Sequence, residues 1–251
     1  MARGLGHEGP RALDRTDPDA VGHVPGPGPV LREGGRLTAR PSKLKAKDKR
    51  AFVGQVWLLD ETSVSVISDI DDTIKITEVR DRSATLRNTF LREFQAVAGM
   101  AELYQTLARS NRATFHYVSA SPWQLYRPLA EFVRDHGFPA GTFHLRDFRI
   151  RDGSFLAALL SPEHYKPGVI RPLLERFPQR RFVLVGDSGE KDPEIYGALA
   201  RQFPDQIAGI WIRDVTGETP AAPRYQQAFT NVPPTRWRVF KEPTEITRPT
   251  P

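Results

Sequence analysis

The chain contains no cysteine among its 251 residues. That absence excludes disulfide scaffolds, thiolate zinc sites, iron–sulfur clusters and cysteine nucleophiles. No apolar run approaches the roughly 20 residues a membrane-spanning helix needs. The first thirty residues, MARGLGHEGPRALDRTDPDAVGHVPGPGPV, lack the apolar stretch of a secretory signal. The folded part also lacks strong net charge. The chain carries +6, but residues 1–50, with 11 basic and 6 acidic side chains, hold +5 of it. A nearly neutral remainder argues against a nucleic-acid groove, because phosphates would require a basic face. The expectation is a cytoplasmic protein with no transmembrane segment and no nucleic-acid partner.

Glycine and proline are abundant only at the start. Residues 1–42 hold 8 Gly and 6 Pro without a sustained period. Such sequence cannot bury enough apolar surface to offset its ordering entropy, so residues 1–50 read as a disordered basic leader. Its last stretch, LKAKDKR (44–50), is a solvated flank or a peripheral tether to anionic membrane. From Phe52 the pattern changes. FVGQVWLL (52–59), SVSVISDI (63–70), ATFHYVS (113–119), TFHLRDF (142–148), RFVLVGD (181–187) and IAGIWIRDV (207–215) read as strands, the last being the final one. Helical spacing marks 88–109, with Gly99 as a break, and then 122–137, 166–178 and 192–204. Asp192 reads as a cap, with Pro193 at the first helical position. Alternating strands and helices predict an α/β domain over 51–240, a parallel sheet with helices on both faces, and a flexible tail over 241–251.

In such sheets ligands bind beyond the carboxyl ends of the strands. The polar residues there are Asp69-Ile-Asp-Asp-Thr73, Ser119-Ala-Ser121 and Gly186-Asp-Ser-Gly-Glu-Lys-Asp192. Asp69 and Asp71 are two apart, so an extended backbone aims both the same way, while Asp72 points oppositely toward a solvent or cap role. Acids from two strand ends need a compensating cation, and an all-oxygen donor set suits Mg²⁺ better than zinc. Lys166 at a helix start favours an anion. A hydroxyl comes from Ser119 or Ser121, with Ser119 preferred as the first residue past the apolar strand. Acids, divalent cation, lysine and hydroxyl describe a phosphoryl-transfer site. Asp147 and Arg149 read as a surface pair.

SDIDDTIKIT resembles the Asp-x-Asp-x-Thr motif of haloacid-dehalogenase-type phosphatases. YVSASPWQLY, HYKPGVIRPLLERFP and FVLVGDSGEKDPEIYG are similar to that superfamily's later motifs, in order. A closer resemblance, over about residues 62–216, is to the catalytic domain of the actin-patch Mg²⁺-dependent phosphatidate phosphatases. The resemblance implies a Rossmann-like haloacid dehalogenase fold that hydrolyses phosphatidate to diacylglycerol and phosphate. It implies Asp69 as nucleophile, forming an aspartyl-phosphate, and Asp71 as general acid and then base. Mg²⁺ would sit on Asp69, the Asp71 backbone carbonyl and Asp187. Ser119 and Lys166 would hold the phosphate, Thr73 would orient the loop, and Asp192 would hold a metal-bound water or Lys166.

In the family a β-rich domain usually precedes the catalytic one. Here only about 20 residues of expected strand (52–68) stand before the motif, so the expectation is that either that domain is lost or the start of the chain is truncated. The 45 residues between Thr73 and Ser119 must also supply a helix and a strand, leaving room for little or no cap domain. An open mouth suits a phosphate on a large or membrane-embedded substrate. The alternatives are the same chemistry on a phosphoprotein or soluble ester, a phospho-accepting receiver, and a non-catalytic binding module. GDSGEKD has no place in a receiver, and the intact acids speak against a decayed site.

Overall fold

A computed structural model describes residues 36–39, 52–55, 57, 59–77, 94–146 and 165–246. The chain divides into two compact units, residues 1–60 and 61–251. In the first, β1 (Arg36–Ala39) pairs antiparallel with β2 (Phe52–Gln55), Arg36 opposite Gln55 and Ala39 opposite Phe52. Two expectations are thereby corrected. Arg36–Ala39 is a strand inside the segment read as disordered, and β2 belongs to the unit that precedes the α/β domain. Composition averaged over forty residues hides a four-residue strand whose partner lies a dozen residues downstream.

The second unit is an α/β domain. Its strands are β3 (Val64–Asp69), β4 (Thr114–Pro122), β5 (Gly141–Arg146), β6 (Arg181–Asp187), β7 (Ile207–Arg213) and β8 (Trp237–Phe240). They form one sheet in the order β5-β4-β3-β6-β7-β8, and every pairing is parallel. The helices are α1 (Met100–Ser110), α2 (Tyr126–Asp135), α3 (Tyr165–Arg176), α4 (Asp192–Gln202) and α5 (Pro223–Ala228).

Strand residues alternate between two cores, which explains why the strands read as nearly continuous apolar runs. Val66, Phe115, Tyr117, Val183 and Val185 pack with α1 and α2 on one face. Ile67, Val118, Phe182, Leu184 and Ile210 pack with α3, α4 and α5 on the other. The chain steps from β3 outward to β5, then returns to lay β6 against the opposite side of β3. That reversal opens a crevice between the carboxyl ends of β3 and β6, the usual ligand position in doubly wound sheets.

Several expected boundaries move. Gly99 does not break a helix. It precedes α1 at φ +79°, and the segment before it runs beside the first motif, with Ala96 bridging Lys75 and Phe94 beneath the Lys75 ammonium. The apolar spacing of 94–97 is thus met by non-helical packing. The strand at 207 is not the last, because β8 follows. Its four residues behind Pro233 and Pro234 are too short to show a period. Residues 241–246 are not a flexible tail either. Glu245 accepts from the Lys241 and Glu242 amides, and Pro243 and Ile246 are buried. Among the described residues no cap domain is evident, and none of their helices is long and apolar enough to cross a membrane. Asp147, Arg149 and the 44–50 run lie outside the described residues.

Candidate active site

Asp69 closes β3 and is fully buried. Its Oδ1 lies 2.9 Å from the Lys166 ammonium, while its Oδ2 has no hydrogen-bond partner. Lys166, in the first turn of α3, also meets Glu190 Oε2 at 2.9 Å and Asp192 Oδ1 at 2.5 Å. These three contacts use every N–H an ammonium has. Asp187 closes β6. Its Oδ1 accepts from the Gly189 and Glu190 amides at 2.5 and 3.3 Å, and its Oδ2 is buried and unpartnered. Asp192 does not cap its helix. It is the first residue of α4, and its carboxylate turns inward to Lys166 and to the Asp187 amide at 3.2 Å. Gly186 permits this, because a Cβ there would stand 2.2 Å from Asp192 Oδ2.

Asp71 lies beyond the strand and answers to a different cation. Lys75 Nζ is 2.7 Å from its Oδ1, and the Thr77 hydroxyl donates to the same oxygen at 2.8 Å. Ser119 donates to Oδ2 at 2.8 Å, and Ser121 at 3.4 Å. The Ser121 amide in turn donates to Ser119 Oγ at 3.0 Å. Asp72 is not directed to solvent. It is buried at φ +54°, with its carboxylate accepting from the Thr77 amide at 2.7 Å and its carbonyl from Arg213. The same geometry fixes the loop, whereas the buried Thr73 hydroxyl makes no hydrogen bond.

The two acids are displaced in opposite directions. Burial pushes the Asp69 carboxyl well above the ordinary range, with Lys166 only partly offsetting it. Burial also raises Asp187, helped by the negative charge of Asp192 and Glu190. Burial opposes the Lys166 ammonium, but Asp192, Asp69 and Glu190 outweigh it and hold its pKa above the usual value. For Asp71 the burial penalty is overcome by Lys75 and by the hydroxyls of Thr77 and Ser119, lowering its pKa to about 2.

Four carboxylates around one ammonium leave excess negative charge. Ligand oxygens of Asp69, Asp187 and Asp192 lie within 4.8 Å of one another, and two buried oxygens are orphaned. An unpaired buried carboxylate oxygen is costly, and a hard divalent cation with oxygen preference satisfies both. The donor set therefore fits Mg²⁺.

Sequence reading assigned no role to Glu190, Lys75 or Thr77. The signal was present: Lys75 is four residues after Asp71, and Glu190 sits inside the last motif. Arg224 of α5 left no such trace. It clamps the loop carrying Glu190, donating to the carbonyls of Ser188 and Glu190 and pairing with Glu194 at 2.8 Å.

Comparison with known proteins matches residues 64–214 to the family described as phosphatidate phosphatase APP1, catalytic domain. The chain belongs to this family. Its matched region begins at β3 and ends just after β7, so it contains every residue placed at the site above except Arg224. The chain is 35% identical over 191 residues to the phosphatidate phosphatase APP1 of Saccharomyces cerevisiae, covering 74% of this chain and 32% of that one. It is 34% identical over 174 residues to an uncharacterized protein of Schizosaccharomyces pombe, covering 67% and 28%. The chain thus spans under a third of the length of either relative. A chain in a solved Pnkp1/Rnl/Hen1 complex is 13% identical, with 65% of this chain and 55% of that one covered at a TM-score of 0.36.

Proposed function

We propose that the domain is a Mg²⁺-dependent phosphatidate phosphatase of the haloacid dehalogenase type, releasing diacylglycerol and phosphate through an aspartyl-phosphate on Asp69. The observation that carries this reading is the pair of orphaned carboxylate oxygens, Asp69 Oδ2 and Asp187 Oδ2, beside a buried lysine at the sheet reversal. Membership of a phosphatidate phosphatase family supports the choice of substrate.

Asp69, Asp187 and the Asp71 carbonyl would hold the Mg²⁺, with Asp192 in support. When bound, it neutralises the clustered negative charge and polarises the phosphoryl oxygens. Asp69 attacks phosphorus as the bond to the glycerol oxygen breaks, and the leaving alkoxide takes a proton from Asp71. Water then yields its proton to Asp71 and attacks phosphorus, freeing Asp69 and inorganic phosphate. Asp71 rests ionised, which suits the second half of this cycle. The first half needs a protonated carboxyl, and an entering phosphate that draws away the Ser119 hydroxyl and adds negative charge favours that form. Lys166 has no free N–H, so a phosphate must displace one of its partners. Glu190, at 11% side-chain exposure, is the displaceable one, since Asp69 and Asp192 are buried at 2% or less.

The test is phosphate release from phosphatidate vesicles, soluble phosphate esters and phosphopeptides, with Mg²⁺ and after chelation. Release should need Mg²⁺, favour the lipid, and vanish in Asp69→Asn with the fold intact. A preference for a soluble ester or a phosphopeptide would replace phosphatidate as substrate. An active Asp69→Asn variant would remove the nucleophile.

A further inference from the structure

Large apolar side chains left in water are informative when they gather at one place. Among the described residues three are exposed: Ile76 at 37%, Trp123 at 44% and Tyr126 at 46%. All three stand on segments leaving the carboxyl ends of the neighbouring strands β3 and β4. Ile76 lies between Lys75 and Thr77, which hold the Asp71 carboxylate. Trp123 and Tyr126 come two and five residues after Ser121.

The aromatic pair is fixed from beneath. The Trp123 ring centre is 5.8 Å from that of Tyr126, and Tyr126 stands edge-on to Phe143 at 5.4 Å. Phe143 in turn meets the fully buried Tyr117 at 5.3 Å. Rings anchored to the core in this way keep their exposed edges in place. Positive charge occurs at the same end of the sheet. Lys191 is exposed between Glu190 and Asp192, and Arg127, beside Tyr126, is exposed while pairing with Glu131 at 3.0 Å.

We propose that this rim seats the domain on an anionic phospholipid bilayer, with Ile76, Trp123 and Tyr126 entering at headgroup depth. The proposal rests on the reading of the site as a lipid phosphatase. Trp and Tyr combine an apolar body with a polar tip, the property that concentrates them at bilayer interfaces. The rim is also continuous with the site. A headgroup phosphate can reach Asp69 only if the bilayer comes to the carboxyl ends of these strands, because acyl chains are too costly to lift into water.

The experiment uses the full chain with phosphatidylcholine vesicles containing phosphatidate. Trp123→Ser combined with Tyr126→Ser should weaken vesicle partitioning by about tenfold or more. The loss should persist at high salt, since apolar insertion is not screened. Phosphate release from vesicles should fall in parallel, while release from a soluble ester stays within about twofold, below what losing one buried side chain costs. Ile76→Ser leaves the aromatic contacts intact and should cost roughly threefold in partitioning, for its smaller exposed area. Unchanged partitioning in both variants overturns the proposal. So does an equal loss of soluble-ester turnover, which would move the aromatics into the reaction site, and so does loss of a dimer on sizing, which would make a second copy the occupant. A wild-type protein that binds vesicles through this rim but releases no phosphate from them defeats the substrate reading and leaves the rim standing.

Discussion

Replacing Lys166 by Met is the most demanding test of the site's electrostatics. The ammonium is buried and serves Asp69, Glu190 and Asp192 at 2.9, 2.9 and 2.5 Å. Removing one partner of a buried ion pair costs about 3–5 kcal/mol, because it strands the remaining charge. For a domain of this size each kcal/mol lowers Tm by about 2–4 °C, so Lys166→Met should fall by roughly 6–20 °C at pH 8 without divalent cation. The loss should shrink on acidification. Asp69, Asp187 and Glu190 already have folded pKa values above their ordinary ones, and losing Lys166 raises Asp69 and Glu190 further. The folded state therefore binds protons that the unfolded state has released, and its stability falls as pH rises above about 4, by up to about 1.4 kcal/mol per unit for each proton. The own contribution of Lys166 does not vary in this range, since its pKa is raised and is lost only on passing through that higher value. Urea or thermal unfolding of both proteins at pH 5, 6.5 and 8 in chelator measures the difference. A Lys166→Met protein within 2 °C of wild type at pH 8, or a deficit independent of pH, would refute the counter-ion role.

Three further outcomes follow from the same geometry. Glu190→Gln weakens the competition for Lys166, so inorganic phosphate should inhibit the variant several-fold more tightly in a steady-state assay, and unchanged inhibition would make Glu190 a spectator. Asp71→Asn should slow the phosphorylation half-reaction much more for alkyl than for activated aryl esters, which leave without a proton; equal single-turnover losses would remove Asp71 as the acid. Gly186→Ala drives a methyl group onto Asp192 and should cost about 1–3 kcal/mol by overpacking. It should also abolish the Tm gain from Mg²⁺, and a variant that keeps the full Mg²⁺ shift would show that Asp192 is not needed for the cation.

What the sequence disclosed was governed by how local each cause is. The inner strands β3, β4, β6 and β7 announce themselves because both faces are covered, so FVLV in β6 and IAGIWI in β7 are apolar without interruption and β3 and β4 are broken only by small or aromatic polar residues. β8 and α5 are short, lie at the sheet's edge and owe their existence to packing on β7 and α4, which no local pattern records. The acids at the ends of β3 and β6 were visible for the same reason as the strands, since an apolar run that stops at Asp marks the carboxyl edge. Their partners were harder to assign. Lys166 could be matched to the acids only through the order of motifs, and the Ser119 hydroxyl, expected on a phosphate oxygen, has in the Asp71 carboxylate a partner from another strand end that no local pattern announces. Asp192 reads as a cap in a Lys-Asp-Pro context. Only the missing Cβ of Gly186, in a different element, lets it turn inward.

The separation of Asp69 from Asp71 follows from this distinction between local and distant partners. Lys75 comes from the same loop, four residues on, and among the described carboxylates its ammonium pairs with Asp71 alone, which two hydroxyls also serve. Lys166 comes from α3, on the far side of the reversal, and must be divided among three carboxylates. One acid is therefore over-supplied with positive charge and drops to about 2, while its neighbour two positions away is under-supplied and rises. Two carboxyls whose surroundings drive them apart are suited to different tasks. In the proposed cycle the under-supplied acid has a cation still to gain, which would hold it ionised as the nucleophile. The over-supplied acid can change its proton only when substrate loosens its hydroxyl partners. Proton transfer from Asp71 is thereby tied to occupancy of the site, through Lys75 and Thr77 of its own loop and the Ser119 hydroxyl at the end of β4.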